Sequence, residues 1–179
     1  MPAPDRYTGT AIALHWLIAL MIVGGFAIGL YMTDLKLSPE KLKLYAWHKW
    51  SGITVLSLAL IRLGWRWRHP PPAPLPGQPA WQLQAARYTH LLLYGLILAI
   101  PLSGWLYSSA SGYPVVYLGI KSLQLPDLVD KDKALATALK QVHEILNWML
   151  ALLVSVHVGA ALKHHFVDRD STLQRMLPR

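Results

Sequence analysis

Three long stretches of this 179-residue chain contain no Asp, Glu, Lys or Arg. They run from Tyr7 to Thr33, from Tyr88 to Ile120 and from Ile145 to Leu162. A helix needs about 20 mainly apolar residues to cross a bilayer core about 30 Å thick. Because lipid cannot satisfy unpaired backbone N–H and C=O groups, the segment that crosses is expected to be a closed helix. The chain is therefore predicted to be an integral membrane protein.

The stretches predict three membrane-spanning helices, and a segment rich in apolar residues with charges near its ends predicts a fourth. In that segment Lys49, Arg62 and Arg66 lie where long basic side chains can extend to the headgroups. The fold class is therefore all-α, a single four-helix transmembrane bundle over residues 1–179. The predicted spans are 9–32, 45–67, 86–108 and 140–163.

Composition excludes several classes of protein. Hydrophobic residues make up 54% of the chain and charged residues 15%, against about 25% charged in ordinary soluble domains. Cysteine is absent, which excludes disulfides, thiolate metal sites and iron–sulfur clusters. The net charge of +8 comes from short clusters between apolar stretches, unlike the basic face of a nucleic-acid-binding protein, so no nucleic-acid partner is predicted. The first apolar segment is longer than a signal-peptide core and lacks a clear cleavage site, so it is predicted to be retained.

The Lys and Arg counts do not orient the bundle in the membrane. Four spans put both termini on one side, with nine basic residues there and eight on the other. The positive-inside rule compares these counts and finds almost no difference. The residue types do separate, because every Arg is predicted on the terminal side: Arg6, Arg62, Arg66, Arg68, Arg87, Arg169, Arg175 and Arg179.

Histidines inside the predicted spans indicate the chemistry. The chain has eight histidines, and five of them fall within spans: His15, His48, His90, His143 and His157. Ionisable groups at membrane depth are costly and usually face the bundle interior, where they serve a function. Histidine is a common axial ligand of haem iron. A lone intramembrane histidine is equally consistent with an interhelical hydrogen bond or a proton relay.

Spacing favours haem ligation at two depths. His143 and His157 are 14 residues apart, which returns them to within about 40° of one helix face and separates them by roughly 21 Å. Because consecutive spans run in opposite directions across the membrane, His15 is predicted to lie level with His157, and His48 level with His143. Two stacked haems, each held by one pair, are therefore predicted.

The other four histidines are not part of the two predicted ligand pairs. His90 enters the third span on the side of His15, where it could replace a terminal-side ligand or contact a haem propionate or a quinone. His69, His164 and His165 are predicted to lie at the membrane interface. The candidates for propionate or quinone contact are His90, Arg62, Arg66, His164 and His165.

In their order and spacing, several short motifs resemble the bacterial cytochrome b561 family across nearly the whole chain. They include Ala-Leu-His15-Trp-Leu, Trp-His48-Lys-Trp-Ser-Gly, Ile-Arg62 before a proline-rich loop, Thr-His90-Leu-Leu-Leu-Tyr and Val-His143-Glu. The C-terminal part is especially similar: His157, Ala-Leu-Lys-His164-His165-Phe and Asp170-Ser-Thr-Leu-Gln-Arg175-Met-Leu-Pro178.

The resemblance implies a four-helix inner-membrane cytochrome with two b haems, cytoplasmic termini and quinone as electron acceptor. Carried over by position, the iron ligands are His15, His48, His143 and His157. In one branch of the family superoxide is the donor, so the function predicted is a superoxide:ubiquinone oxidoreductase. Lys49, Lys121, Lys131 and Lys133 would then lie on the periplasmic side, where they could attract an anion.

Two alternatives remain open from the sequence. One is a cytochrome b that relays electrons from a dehydrogenase or hydrogenase partner to quinone. The other is a haem-free membrane bundle whose histidines only bond between helices. A redox partner protein, a homo-oligomeric state and the catalytic residues are not determined by these patterns.

Overall fold

Four long helices form the fold of the computed structural model, which describes residues 5–178. They are α1 (Gly9–Asp34), α2 (Pro39–Arg68), α3 (Ala80–Ala110) and α4 (Lys133–Phe166). Three short 3₁₀ turns cover Tyr117–Gly119, Lys121–Leu123 and Gln174–Met176. The all-helical prediction is confirmed, and each predicted span lies inside one helix. Arg179, counted above among the basic residues, lies outside the described residues.

The helices α2, α3 and α4 begin six or seven residues before the predicted spans, and capping residues explain two of these starts. Ser38 caps α2 by accepting a hydrogen bond from the Lys41 N–H, with Pro39 in the first turn. Asp132 caps α4 by accepting from the N–H groups of Ala134 and Leu135. The spans were predicted from apolar content, which marks the part of a helix inside lipid and not the polar turns beyond it.

The helices run antiparallel, so both ends of the chain lie at one end of the bundle. We call this end the terminal face (residues 5–8, 69–79 and 167–178) and the other end the loop face (35–38 and 111–132). Side chains of the N-terminal part hold the C-terminal segment: the Trp16 indole donates to the Met176 carbonyl at 2.8 Å, and Arg6 donates to the Leu177 carbonyl at 2.8 Å.

Three of the four helices are long and apolar enough to cross a membrane: α1 with 26 residues, α3 with 31 and α4 with 34. The helix α2 does not meet that standard, because basic residues lie along both its ends. Large apolar side chains point outward from the bundle; Leu20 and Leu152 are each 70% exposed. An outward apolar surface on helices of this length fits a lipid environment.

Helix packing follows chain order: α1 packs against α2, α2 against α3, and α3 against α4. The helix α4 has no comparable close packing with α1 or α2 within the described residues. A small apolar core fills the middle of the bundle, where Leu93, Leu96, Ile100 and Leu150 are each 9% exposed or less. Within the described residues the closest backbone packing is thus between consecutive helices, while α4 meets α1 and α2 mainly through side chains.

Candidate haem-binding histidine pairs

The structure brings two pairs of histidine rings opposite each other, in an edge-to-face arrangement. The ring centroids of His15 and His157 are 6.3 Å apart, and those of His48 and His143 are 6.1 Å apart. The ring planes make angles of 72° and 88°. These are the two pairs that depth counting put level with each other.

We call His48 and His143 the loop-face pair, and His15 and His157 the terminal-face pair. Backbone carbonyls orient both rings of the loop-face pair. Nδ1 of His48 lies 3.0 Å from the Gly25 carbonyl, and Nδ1 of His143 lies 3.1 Å from the Ile100 carbonyl. Because a carbonyl only accepts, each Nδ1 is assigned as the protonated nitrogen. Each Nε2 is then the unprotonated nitrogen, which is the form that binds a metal.

A buried hydroxyl adds a second contact to His143. Oγ of Ser103, a residue only 6% exposed, lies 3.0 Å from the His143 Nδ1 and donates its own proton to the Ile100 carbonyl at 2.7 Å. The Nδ1–H of His143 therefore has two acceptors, whereas that of His48 has one. Hydrogen bonds of this kind fix the orientation of a ligating imidazole and raise its basicity.

Glycines lie against both loop-face rings. A Cβ atom on Gly29 would lie 3.2 Å from Cε1 of His48, and one on Gly104 would lie 3.0 Å from Cε1 of His143. Contacts this short are rare for real Cβ atoms, so the imidazole must move by a few tenths of an ångström to admit even an alanine at either position. The absence of a side chain there lets the Cε1 edge of each ring approach the neighbouring helix closely.

A mostly apolar cavity contains the loop-face pair. It extends from the two imidazoles toward the middle of the bundle and is bounded by α1, α2, α3 and α4. Its lining includes Met21, Ile22, Gly25, Phe26, His48, Ser51, Gly52, Val55, Ile97, Ile100, Pro101, His143, Asn147 and Leu150. Apolar walls with a few oriented polar groups are typical of cofactor sites.

The terminal-face pair has a third histidine beside it. The ring centroids of His90 and His157 are 5.4 Å apart, so His157 lies next to both His15 and His90. Nearby, the Arg62 guanidinium donates to the Ala11 carbonyl and, at 3.1 Å, to the Tyr94 hydroxyl. Within residues 5–178 the rings of His15 and His157 make no hydrogen bond, unlike the loop-face rings.

These residues fit haem iron on two observations. Two imidazoles on opposite sides of one metal, each with its nitrogen about 2 Å from it, have centroids about 6 Å apart. Both facing pairs match this separation, whereas His90 and His157 are closer than it. Moreover, each facing pair joins α4 to a helix, α1 or α2, whose backbone has few close contacts with the backbone of α4.

An apolar layer separates the two pairs. Leu150 lies midway between His143 and His157 on α4, and it packs with Leu93, Leu96 and Ile100 of α3. The two candidate sites are therefore at different depths, with closely packed hydrocarbon between them.

The remaining sequence candidates lie outside the two facing pairs. The His69 ring stacks on Trp65 with centroids 4.1 Å apart. Nδ1 of His164 lies 2.7 Å from an Asp170 carboxylate oxygen, while Nδ1 of His165 is buried and has no hydrogen-bond partner among residues 5–178. Burial acts to raise the pKa of Asp170, but hydrogen bonds from Thr172 and His164 outweigh it and hold this pKa below its usual value.

Sequence reasoning missed the groups that hold the loop-face imidazoles. Ser103, Gly104 and the Ile100 carbonyl were not singled out, because nothing in the sequence gives the register of α3 against α4. Gly25 and Gly29 form a G-x-x-x-G motif, which by itself indicates only close helix packing. Only the glycine spacing could have indicated that α2 approaches α1 there.

Replacing Ser103 with alanine should raise the midpoint potential of one haem by about 20–60 mV, the equivalent of one net hydrogen bond. The physical reason rests on the predicted ligation of haem iron by His143: its imidazole would lose an acceptor, become less basic and stabilise oxidised iron less. Redox titration followed by absorption measures the change. Ser155→Ala is the matched control, since that exposed hydroxyl only donates to the Ala151 carbonyl. Equal shifts in the two variants would contradict the role of Ser103.

Comparisons with known proteins agree over almost the entire chain. A family model described as prokaryotic cytochrome b561 matches residues 6–179. Cytochrome b561 homolog 2 of Escherichia coli (strain K12) is 39% identical over 181 residues, which cover 97% of this chain and 92% of that protein. Cytochrome b561 homolog 1 of the same strain is 34% identical over 98% of both chains. The probable superoxide oxidase CybB of Yersinia pestis is 29% identical over 97% of both.

Proposed function

The chain belongs to the prokaryotic cytochrome b561 family, and from that premise we propose that it is a di-haem superoxide:ubiquinone oxidoreductase. Membership makes it a bacterial membrane cytochrome that binds haem b and takes part in electron transport. The number of haems, the donor and the acceptor are the proposed part. The observation that carries it is the presence of two facing histidine pairs at two depths of one bundle.

The proposed ligands are His15 with His157 for one haem iron, and His48 with His143 for the other. When bound, haem supplies a one-electron redox centre. Two imidazoles on each iron leave no position open for oxygen, so this chain is suited to electron transfer and not to oxygen binding. The carbonyls of Gly25 and Ile100 hold the loop-face imidazoles by Nδ1–H, and the apolar layer around Leu150 excludes water between the two sites.

The reaction balances with two superoxide ions for each quinone. Each superoxide gives up one electron and leaves as dioxygen, and two electrons with two protons convert one ubiquinone to ubiquinol. Support for superoxide as donor comes from the relative named as a probable superoxide oxidase. A quinone that receives electrons near the terminal face would meet Arg62, Arg66 and His90, with His164 and His165 as further candidates.

We propose four spans with cytoplasmic termini in the bacterial inner membrane. The helix α2 is too basic at its ends to be recognised as a span from composition, yet it has 30 residues, about 45 Å, and packs between α1 and α3. A helix of that length exceeds the hydrocarbon core, so its basic ends reach the headgroups.

This orientation puts the lysines in and near the loop face on the periplasmic side. Lys49, Lys121, Lys131 and Lys133 would attract an anionic donor there, although Asp127, Asp130 and Asp132 offset part of their field. Lys49 is held in place because its ammonium donates to the Tyr113 carbonyl at 2.9 Å. Long-range attraction of this kind falls with ionic strength.

Stopped-flow mixing of superoxide with the purified, ubiquinone-loaded protein tests the function. We expect reduction of b-type absorption bands followed by formation of ubiquinol, with a rate that falls as salt is raised. A rate unchanged by salt would contradict the attraction by lysines. Haem that superoxide does not reduce, in protein that co-purifies with a dehydrogenase or hydrogenase subunit, would instead establish the relay function. Purified protein without b-type bands would exclude both.

A further inference from the structure

A second cavity lies between the end of α3 and the start of α4, on the loop face and away from both histidine pairs. It is open on one side and has a volume of about 460 Å³, which is in the range of ligand pockets. Its lining combines lysines, hydroxyl groups and small apolar residues: Tyr107, Ala110, Ser111, Lys131, Lys133, Ala136, Thr137 and Lys140.

The cavity carries positive charge and no lining carboxylate. Lys140 lies 3.6 Å from Glu144, but Lys131 and Lys133 take part in no ion pair within residues 5–178. Asp132 lies between them in the sequence, and one of its carboxylate oxygens accepts the first N–H groups of α4 at 2.8 and 3.0 Å. Two lysines are thus left for an anion.

The position of Lys131 is set by a glycine. Gly112 has a φ of +73°, a conformation that favours glycine, and a Cβ atom there would lie 2.9 Å from Cδ of Lys131. The stem of Lys131 therefore runs directly over the backbone at the end of α3. Part of the entropy cost of ordering this long side chain is already met before any ligand binds.

The cavity lies where the apolar part of the bundle ends. The uncharged stretch of α4 begins at Ile145, five residues after Lys140, the last cavity residue of that helix, and Ala110 and Ala136 are buried walls. At this level a membrane offers phosphate groups attached to apolar chains. Basic pockets between membrane helices are suited to such headgroups.

We propose that this cavity binds the phosphate-bearing headgroup of an anionic phospholipid of the surrounding leaflet. The ammonium groups of Lys131 and Lys133 bind the phosphate, and the alanine walls contact the glycerol and the first methylene groups. Free phosphate offers the same charge but nothing for the apolar walls. One phosphodiester bound here offsets one of these two positive charges, and Lys49 and Lys121 stay available to attract a soluble anion.

Native mass spectrometry of the full-length haem-loaded protein, titrated in detergent with phosphatidylglycerol, tests the site. The variant is Lys131→Gln with Lys133→Gln, and the matched control is Lys36→Gln with Lys43→Gln, which removes the same charge from the same end of the bundle. We expect about 30-fold weaker phosphatidylglycerol binding in the first variant, since each lysine near an anionic headgroup contributes about a fivefold gain in affinity. The control should bind as the unaltered protein does.

Three further measurements distinguish the lipid from other occupants. Phosphatidylcholine should bind the unaltered protein weakly, and the cavity variant should not change that binding. Inorganic phosphate at equal concentration should leave bound phosphatidylglycerol in place. Equal losses in the cavity and control variants, or displacement of the lipid by inorganic phosphate, would overturn the lipid site. The absorption spectrum and thermal stability of each variant show that the bundle is intact.

Discussion

Replacing His143 with alanine is expected to lower the haem content from about two per chain to about one. The variant leaves one imidazole at the loop-face site, and its Ile100 and Ser103 partners then orient nothing. Haem extracted per chain and a redox titration measure the loss. His69→Ala is the control, because that histidine stacks on Trp65 outside the two pairs.

The pairing gives a sharper version of this test. His48→Ala should remove the same haem as His143→Ala, so the double variant should lose no more than either single one. His15→Ala and His157→Ala should remove the other haem. If His48→Ala and His143→Ala remove different haems, the assignment of facing rings to one iron is wrong. Retained helical content by circular dichroism separates haem loss from unfolding.

Leucine in place of Gly104 is expected to remove the same haem without altering any ligand. A Cβ atom alone would lie 3.0 Å from the His143 ring, and the rest of a leucine side chain needs the space that the imidazole fills. The backbone of α3 cannot withdraw easily, because Ile100 and Ser103 nearby are buried. The ring must therefore turn away from its facing position.

Gly95→Leu is the matched control on the same helix, since a Cβ atom there has nothing within 4 Å. Both variants replace a helix-interior glycine of α3 with the same good helix former, so their propensity effects are alike. Haem content and the absorption spectrum should change only for Gly104→Leu. Full haem content in that variant would show that haem binding does not require the observed position of His143.

The helices could be predicted because the length of an uncharged stretch, compared with the thickness of the bilayer, is a local property of the sequence. Each predicted span lies within one helix, and Ser38 and Asp132 extend α2 and α4 beyond the predicted spans into polar turns. The prediction of a span in α2 assumed that its basic residues reach the headgroups, and composition alone does not establish that span. Whether such a segment enters the bilayer depends on its packing against the helices on both sides.

The level pairing of histidines could also be anticipated, since helical rise converts sequence separation into depth. Their function as haem ligands stays a prediction that the variants above address. What could not be anticipated is the register of facing helices. Gly104 is 39 residues from His143 in the chain, and no local pattern brings them together. The same holds for the Ile100 carbonyl, because every helix residue has one and only the fold selects which lies beside His143.

The sequence by itself determined that this chain belongs in lipid, that it is helical, and that its buried chemistry depends on histidine, because hydropathy and residue type act locally. The tertiary structure alone decided which glycines lie against the rings, which carbonyls orient them, and that Lys131 and Lys133 border one cavity. Those are relations between helices distant in the chain, and their geometry follows from side-chain packing summed over the entire bundle.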